Sequence, residues 1–221
     1  MTIQFEREII RLKKSILFLG SMVEDSLDMA MVSISEYDCA LAQKIIDYDK
    51  DIDLKEIEIE EDCLKILALH QPVAIDLRFV ISVLKINNDL ERIGDLATSI
   101  AERILKLTNT KKLTIPQIIF SMATSAKGMV KNSLDALVNM DSELAEDVIK
   151  SDNEVDRLHS SMYDYIYSKF TDDLDKTPEW MEVLAISRYL ERIADHATNI
   201  AEDVIYLING KIVRHPNLMS S

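Results

Sequence analysis

The sequence predicts an all-α protein of two tandem three-helix bundles, six long helices in all, related by internal duplication. Two observations carry this prediction: glycine and proline are scarce, and a helical motif recurs 100 residues later. The 221 residues include only 4 Gly and 4 Pro, whereas typical usage is about 7% and 5%. Because strand-rich folds need turns about every 8–12 residues, and turns use these residues, the composition favours long helices.

The repeat is clearest when residues 83–102 are aligned with residues 183–202. These segments read VLKINNDLERIGDLATSIAE and VLAISRYLERIADHATNIAE, and 13 of the 20 positions are identical. Weaker upstream matches pair 22–28 with 129–135 and 41–53 with 144–156. A repeat at a fixed offset indicates one structural unit that occurs twice. We therefore divide the chain into a first bundle, 1–110, and a second bundle, 111–221.

Three helices are predicted in the first bundle from apolar residues spaced three and four apart. The first helix has its apolar face over residues 9–34. The second covers about residues 41–69 and follows Asp38, a residue type favoured as N-cap. The third follows Pro72, and proline suits a first helical turn.

The second bundle repeats this pattern. We predict its helices at about 115–139, 141–170 and 178–209, with Gly210 as the C-terminal stop of the last one. The apolar face of the last helix matches that of its counterpart 100 residues earlier. The halves are expected to pack side by side or antiparallel, because no linker-like stretch separates them.

The composition excludes several classes of function. There are 39 acidic and 25 basic residues, a net charge of −14, so no basic face is expected to grip nucleic acid or an anionic membrane. The longest stretch without a charged residue, 113–126, is shorter than the roughly 20 apolar residues that span a bilayer. The N-terminus is charged from residue 6 onward and does not resemble a signal peptide, so we predict a cytoplasmic protein. We find no phosphate-binding loop and no nucleophile pattern, so we predict that it is not an enzyme.

Paired carboxylates recur on the predicted helices. The four pairs, each spaced i and i+4 beside an apolar face, are Asp49 and Asp53, Glu91 and Asp95, Asp152 and Asp156, and Glu191 and Asp195. Like charges at this spacing destabilise an isolated helix, so four such pairs favour a compensating cation. Carboxylates from two helices can chelate a metal ion or a small cluster. The alternative is an acidic solvated face that Arg92 and Arg192 partly neutralise.

Further candidate ligands lie close to these pairs. Glu102 and Glu202 continue the stripes beyond Thr98 and Thr198, and His196 follows Asp195 directly. A ferritin-like di-iron site would need Glu-x-x-His twice, and this chain has no such pair of motifs. The candidate ligand set therefore extends beyond the eight carboxylates to Glu102, Glu202, His196 and Asn199.

The motifs LERIGDLATSIAE and LERIADHATNIAE, with HQPVAIDLR upstream, resemble those of the PhoU family. The resemblance covers nearly the whole chain. It implies a cytoplasmic, helical and commonly dimeric protein that binds iron or zinc through the acidic pairs. In the second copy, His196 and Asn199 match residues often seen in this family, whereas the first copy has Leu96 and Ser99 there.

The resemblance also implies a function. PhoU proteins are regarded as negative regulators of phosphate uptake and of the phosphate-starvation response. They are thought to act between the phosphate ABC transporter, through its ATPase subunit, and a sensor histidine kinase, so any membrane contact would be indirect. Two other readings stay open: a carboxylate-bridged metalloenzyme on a helical bundle, and a structural helical dimer without metal.

Overall fold

The computed structural model describes residues 3–108, 113–172 and 174–211, which form six long α-helices and no strand. In chain order the helices are α1 (Ile3–Glu36), α2 (Cys39–His70), α3 (Ala74–Thr108), α4 (Gln117–Asn139), α5 (Ser142–Asp172) and α6 (Thr177–Asn209). A short 3₁₀ turn, Leu174–Lys176, precedes α6. The all-helical prediction is confirmed for these ranges. The predicted boundary between residues 110 and 111 lies outside the described residues.

Several helix ends follow directly from local sequence. The Asp38 carboxylate caps α2 by accepting hydrogen bonds from the backbone N–H groups of Ala40 and Leu41, at 2.9 and 3.0 Å. Asp141 accepts two equivalent bonds, both 3.0 Å, at the start of α5. Gly210 ends α6 with a φ of 68°, in the left-handed region that glycine adopts without steric cost.

The starts of two helices differ slightly from the prediction. The third helix does follow Pro72, but it begins at Ala74, so the proline lies outside the first turn. The reason is that Gln71 ends α2 in the left-handed conformation, and the chain needs two further residues to turn the corner. Pro116 likewise is the residue that precedes α4, which begins at Gln117 rather than at 115.

The six helices form two three-helix bundles that share one apolar core. Helices α1, α2 and α3 pack on one another, as do α4, α5 and α6, and the bundles meet mainly through α3 and α6. Buried apolar side chains from all six helices form a continuous cluster. None of the helices in the described ranges offers the long apolar stretch that a membrane crossing requires.

Helices α3 and α6 run antiparallel along the contact between the bundles. Near the start of α3, the Arg78 Nε donates to the Leu207 carbonyl at 3.3 Å. Near its end, the Arg103 guanidinium donates to the Glu182 carboxylate at 3.0 Å. Because equivalent residues of these helices differ by 100 in number, this pairing has an approximate twofold axis. Its centre lies close to Arg92.

Candidate metal centres

The acidic stripes of α2 and α3 come together at the surface of the first bundle. One carboxylate oxygen from each of Asp49, Asp53 and Asp95 lies within 4.8 Å of the other two. Asp49 and Asp95 are partly buried, whereas Asp53 is exposed. We call these residues together with Glu91 the first acidic cluster. The carboxylates converge as their spacing predicts, and their use as metal ligands stays a prediction.

A glycine allows α2 to approach α3 this closely. A Cβ atom on Gly94 would lie 3.2 Å from the Ile52 side chain and 3.5 Å from Asp49 Oδ1. The first of these distances is tighter than an ordinary carbon contact. The equivalent residue of the second bundle is Ala194, which is fully buried. A side chain at position 94 would therefore push apart the two helices that hold the carboxylates.

Several polar atoms of the first acidic cluster are buried without a hydrogen-bond partner in the described chain. They are Asp49 Oδ1, Glu91 Oε2 and the Thr98 hydroxyl. Glu91 Oε2 lies 3.3 Å from the Arg92 Nε, but the N–H does not point at it, so the contact is ionic only. An unsatisfied buried polar group costs about 1–3 kcal/mol. A cation that accepts these oxygens as ligands would remove that cost, so the residues present fit a metal ion.

The electrostatics of the first acidic cluster also favour a cation. Burial raises the pKa of Asp49, and the neighbouring carboxylates of Asp53 and Asp95 raise it further. The Thr98 hydroxyl opposes this rise, although it lies outside normal hydrogen-bond geometry. Burial and then Asp95 likewise raise the pKa of Glu91. A positive ion would reverse these shifts, because it stabilises the ionised carboxylates.

Arg92 partly neutralises the first acidic cluster. Its guanidinium lies 3.3 Å from the Glu91 carboxylate and 2.9 Å from the Asp95 carboxylate. The Arg92 side chain is 52% exposed, and exposed ion pairs contribute at most about 1 kcal/mol. The predicted neutralising role of this arginine is therefore present in the structure, but it is too weak to compete strongly with a metal ion.

The second acidic cluster, formed by Asp152, Asp156, Glu191 and Asp195, lies between α5 and α6. Burial, followed by repulsion from the other three carboxylates, raises the pKa of Asp152 to about 6. Burial and Asp156 also raise the pKa of Asp195. The four carboxylates thus face one another, as their spacing predicts. In the described chain, however, no three of them converge as closely as those of the first cluster.

The two clusters leave equivalent atoms unsatisfied. In the second cluster these are Asp152 Oδ1 and the Thr198 hydroxyl, which correspond to Asp49 Oδ1 and the Thr98 hydroxyl in the first. Since the same two positions lack partners in both bundles, the feature belongs to the repeated motif. The second cluster therefore fits a metal ion on the same ground as the first.

The side chains of His196 and Asn199 both contact Asp89 on α3. His196 Nδ1 lies 2.8 Å from Asp89 Oδ1, and the Asn199 amide donates to the same oxygen at 3.2 Å. These residues join the bundles across the contact between α3 and α6. Glu102 is exposed and Glu202 partly buried, and neither belongs to the group of converging carboxylates.

Sequence reasoning missed Asp89, the partner of these two side chains. Asp89 is only 8% exposed although it is charged. The signal in the sequence is a break in the repeat, because the equivalent position of the second bundle holds Tyr189. The positions of His196 and Asn199 break the repeat in the same way, with Leu96 and Ser99 as their counterparts. Differences between the copies therefore mark where the two bundles meet.

Comparison with known proteins agrees with the repeat. The family model of the PhoU domain matches residues 16–104 and again residues 119–204. The chain belongs to the PhoU family. A relative from Clostridium acetobutylicum, named phosphate-specific transport system accessory protein PhoU homolog, is 37% identical over 95% of this chain and 96% of its own length. The PhoU accessory protein of Escherichia coli is 30% identical over 96% of this chain and 88% of its own.

Solved structures show the same architecture. The crystal structure of PhoU from Pseudomonas aeruginosa is similar with a TM-score of 0.90 and 34% identity, covering 94% of this chain and all of that one. The phosphate transport system regulatory protein PhoU from Streptococcus pneumoniae gives a TM-score of 0.89 and 30% identity, covering 95% of this chain and 99% of that one. The expectation that the chain is not an enzyme is confirmed by this membership, because these relatives are named as accessory or regulatory proteins.

Proposed function

We propose that this chain is a negative regulator of phosphate uptake and of the phosphate-starvation response. It acts as an adapter between the ATPase subunit of the phosphate ABC transporter and the sensor histidine kinase. The observation that carries the proposal is PhoU membership over both repeats, with relatives named for the phosphate-specific transport system. We further propose that the protein works in the cytoplasm as a homodimer.

The surface chemistry supports regulation through contact with other proteins. With a net charge of −14 the chain is unsuited to holding DNA, and it has no nucleotide-binding loop with which to energise transport. The outer surface of the first bundle exposes large apolar side chains, 49–72% accessible, at Leu54, Ile57, Leu64, Leu69 and Val73. Exposed apolar groups of this size are typical anchors of protein interfaces.

Metal binding is the second part of the proposal. We propose that the two acidic clusters bind iron or zinc. A bound ion would neutralise the carboxylates and link α2 to α3 and α5 to α6, which would stiffen the surface offered to partners. Asp53 and Asp156 are exposed, so the clusters open to solvent. This suits an adapter better than a metalloenzyme, which needs an enclosed site with an open coordination position.

The functional test combines a deletion strain with direct binding. Deleting the gene is expected to leave the starvation response switched on when phosphate is plentiful, and the purified chain is expected to bind the cytoplasmic part of the kinase or the ATPase subunit. Leu64→Glu should weaken that binding, because it places a charge among the exposed apolar side chains. Ser160→Glu adds the same charge at an exposed position of α5 and should leave binding unchanged.

The contrary result is equally clear. Normal phosphate repression in the deletion strain, together with no complex to either partner, would contradict the adapter function. A search for redox or hydrolytic activity of the metal-loaded protein would then come first.

A further inference from the structure

A polar crevice lies between α3 and α6, near the twofold axis that relates the two bundles. Its volume is about 410 Å³, and its lining includes Arg92, Asp95, Ser99, Tyr189, Arg192 and His196. It is separate from the space between α2 and α3, where the carboxylates of the first acidic cluster converge. Asp95 and Thr98 belong to both places.

The crevice gathers two cations on an otherwise acidic protein. Arg92 and Arg192 come from equivalent positions of the two repeats, and both residues line the same opening near the twofold axis. In the described chain Arg192 forms no ion pair, whereas Arg92 pairs with Glu91 and Asp95. Guanidinium groups bind tetrahedral oxyanions with pairs of parallel N–H donors. The two arginines therefore supply donors for an anion, while carboxylates beside both of them offset part of their charge.

Three further polar side chains complete the lining. The Tyr189 hydroxyl accepts a hydrogen bond from Arg103 at 3.0 Å, which leaves its own proton without an acceptor among the described residues. The hydroxyl of Ser99 has no hydrogen bond within the same ranges. His196 uses Nδ1 for Asp89, so its Nε2 remains open to a ligand. The hydroxyls of Tyr189 and Ser99 can thus donate to oxygen atoms of an anion, whereas Nε2 of a neutral His196 that donates through Nδ1 can only accept a hydrogen bond.

Asp95 adds one acceptor to this set of donors. Its carboxylate would repel an anion without protons, such as sulfate at neutral pH. Phosphate near neutral pH keeps at least one proton, and that P–OH group can donate to a carboxylate. We propose that the crevice binds inorganic hydrogen phosphate, held by Arg92 and Arg192, with Asp95 accepting its proton and so selecting it over sulfate.

This inference names the ligand that the proposed regulator would sense, and to that extent it rests on the proposed function. Binding can nevertheless be measured on the purified chain alone. A chain that binds phosphate but no partner would leave the crevice assignment standing and contradict the adapter. The reverse outcome would contradict the crevice assignment only.

The test is isothermal titration of the full-length chain with inorganic phosphate, before and after treatment with a chelator. Chelation matters because protein-bound metal ions can also bind phosphate. Saturable binding should persist without metal, and Arg192→Gln should weaken it about tenfold or more, because one charge-assisted pair of hydrogen bonds is lost. Arg188→Gln is the matched control, since this exposed arginine on α6 is not among the residues that line the crevice.

Two further measurements decide the role of the aspartate. A tenfold excess of sulfate should not displace phosphate from the natural chain, whereas Asp95→Asn should bind sulfate measurably. Equal loss of binding in Arg192→Gln and Arg188→Gln would overturn the proposal, because it would indicate a general charge effect. Loss of all binding after chelation, or sulfate binding as tight as phosphate binding in the natural chain, would also overturn it.

Discussion

The first and second acidic clusters contain equivalent carboxylates, yet the surroundings of those carboxylates differ. In the first cluster, oxygens of Asp49, Asp53 and Asp95 meet within 4.8 Å, and Arg92 pairs with one of them. In the second cluster, no such convergence occurs in the described chain, and burial, followed by repulsion from the other carboxylates, raises the pKa of Asp152 to about 6. The repeated motif thus places the carboxylates on facing helices, while the residues around them decide how close the carboxylates come.

One neighbour is the residue where the two helices of each cluster touch. Gly94 lets the backbone of α3 lie against Ile52, whereas Ala194 places a methyl group at the equivalent position of α6. A second difference is the arginine, because the structure shows ion pairs for Arg92 but none for Arg192 within the described ranges. The arginine opposes metal binding at the first cluster, but its exposed ion pairs contribute at most about 1 kcal/mol. Because the carboxylates of the first cluster converge more closely, we expect it to bind metal more tightly than the second.

The largest expected effect is on bound metal. Asp49→Asn with Asp95→Asn should remove the metal of the first bundle, and Asp152→Asn with Asp195→Asn that of the second, because asparagine keeps the shape but not the charge. Each double variant should retain about half of the metal held by the natural chain, since each cluster supplies its own carboxylate ligands. Elemental analysis of protein purified without chelator measures this. Unchanged metal in both variants would show that other residues are the ligands.

The next effect concerns the close approach of α2 and α3. Gly94→Ala should lower the free energy of unfolding by about 1–2 kcal/mol, because overpacking against Ile52 outweighs the gain in helix propensity. It should also weaken metal binding at the first cluster only. Gly128→Ala is the control, since a Cβ there meets nothing within 4 Å and should stabilise the chain by up to about 1 kcal/mol. Urea unfolding of both variants makes the comparison.

Stability should depend on pH through the raised pKa of Asp152. The folded pKa of Asp152, about 6, lies above its ordinary value of 3.8. The folded state therefore binds the proton more tightly, and without metal its stability falls as pH rises from about 4 to 6. Asp152→Asn should remove that loss and stabilise the metal-free chain at pH 7 by about 1 kcal/mol, allowing for solvent screening.

Thermal unfolding in chelator at several pH values measures this effect. Asp156→Asn, at an exposed position, is a milder control. It removes the repulsion between Asp156 and Asp152 but leaves the half-buried carboxylate of Asp152 in place. A metal-free Asp152→Asn chain that is less stable than the natural chain at pH 7 would contradict the assigned electrostatics.

The smallest expected effect on stability comes from changing His196, a position at which the two repeats differ. His196→Leu gives the second bundle the residue that the first has at this position, and it removes one partner of the buried Asp89. Asn199 still donates to that carboxylate, so the expected loss of stability is only about 1 kcal/mol. Bound metal should not change. A marked loss of metal in this variant would make His196 a ligand after all.

Much of the fold could be predicted from the sequence because a repeat at a fixed offset constrains the whole chain. Once 83–102 and 183–202 are matched, the helix count and the apolar faces follow from periodicity alone. The cap at Asp38 and the stop at Gly210 follow from local chemistry. The corner after Gln71 could not be predicted, because it depends on how α2 and α3 pack.

In the candidate sites, too, the features set by helical periodicity could be predicted, whereas those that depend on packing between helices could not. The positions of the eight carboxylates on facing helices could be predicted because their spacing fixes them on one face of each helix, and their role as metal ligands stays a prediction. The partner of His196 could not, because it lies on a helix of the other bundle and depends on the antiparallel pairing of α3 with α6. The role of Gly94 follows only in part, since a glycine there indicates a shallow surface but not which helix approaches it.

Anomalous X-ray diffraction would show directly whether both acidic clusters hold metal. Crystals of protein purified without chelator would be measured on both sides of the iron and zinc absorption edges. The metal-binding proposal predicts anomalous density beside Asp49, Asp53 and Asp95, and a weaker peak among Asp152, Asp156 and Asp195. Well-ordered carboxylates at both places without anomalous density, in protein that contains metal by elemental analysis, would contradict it.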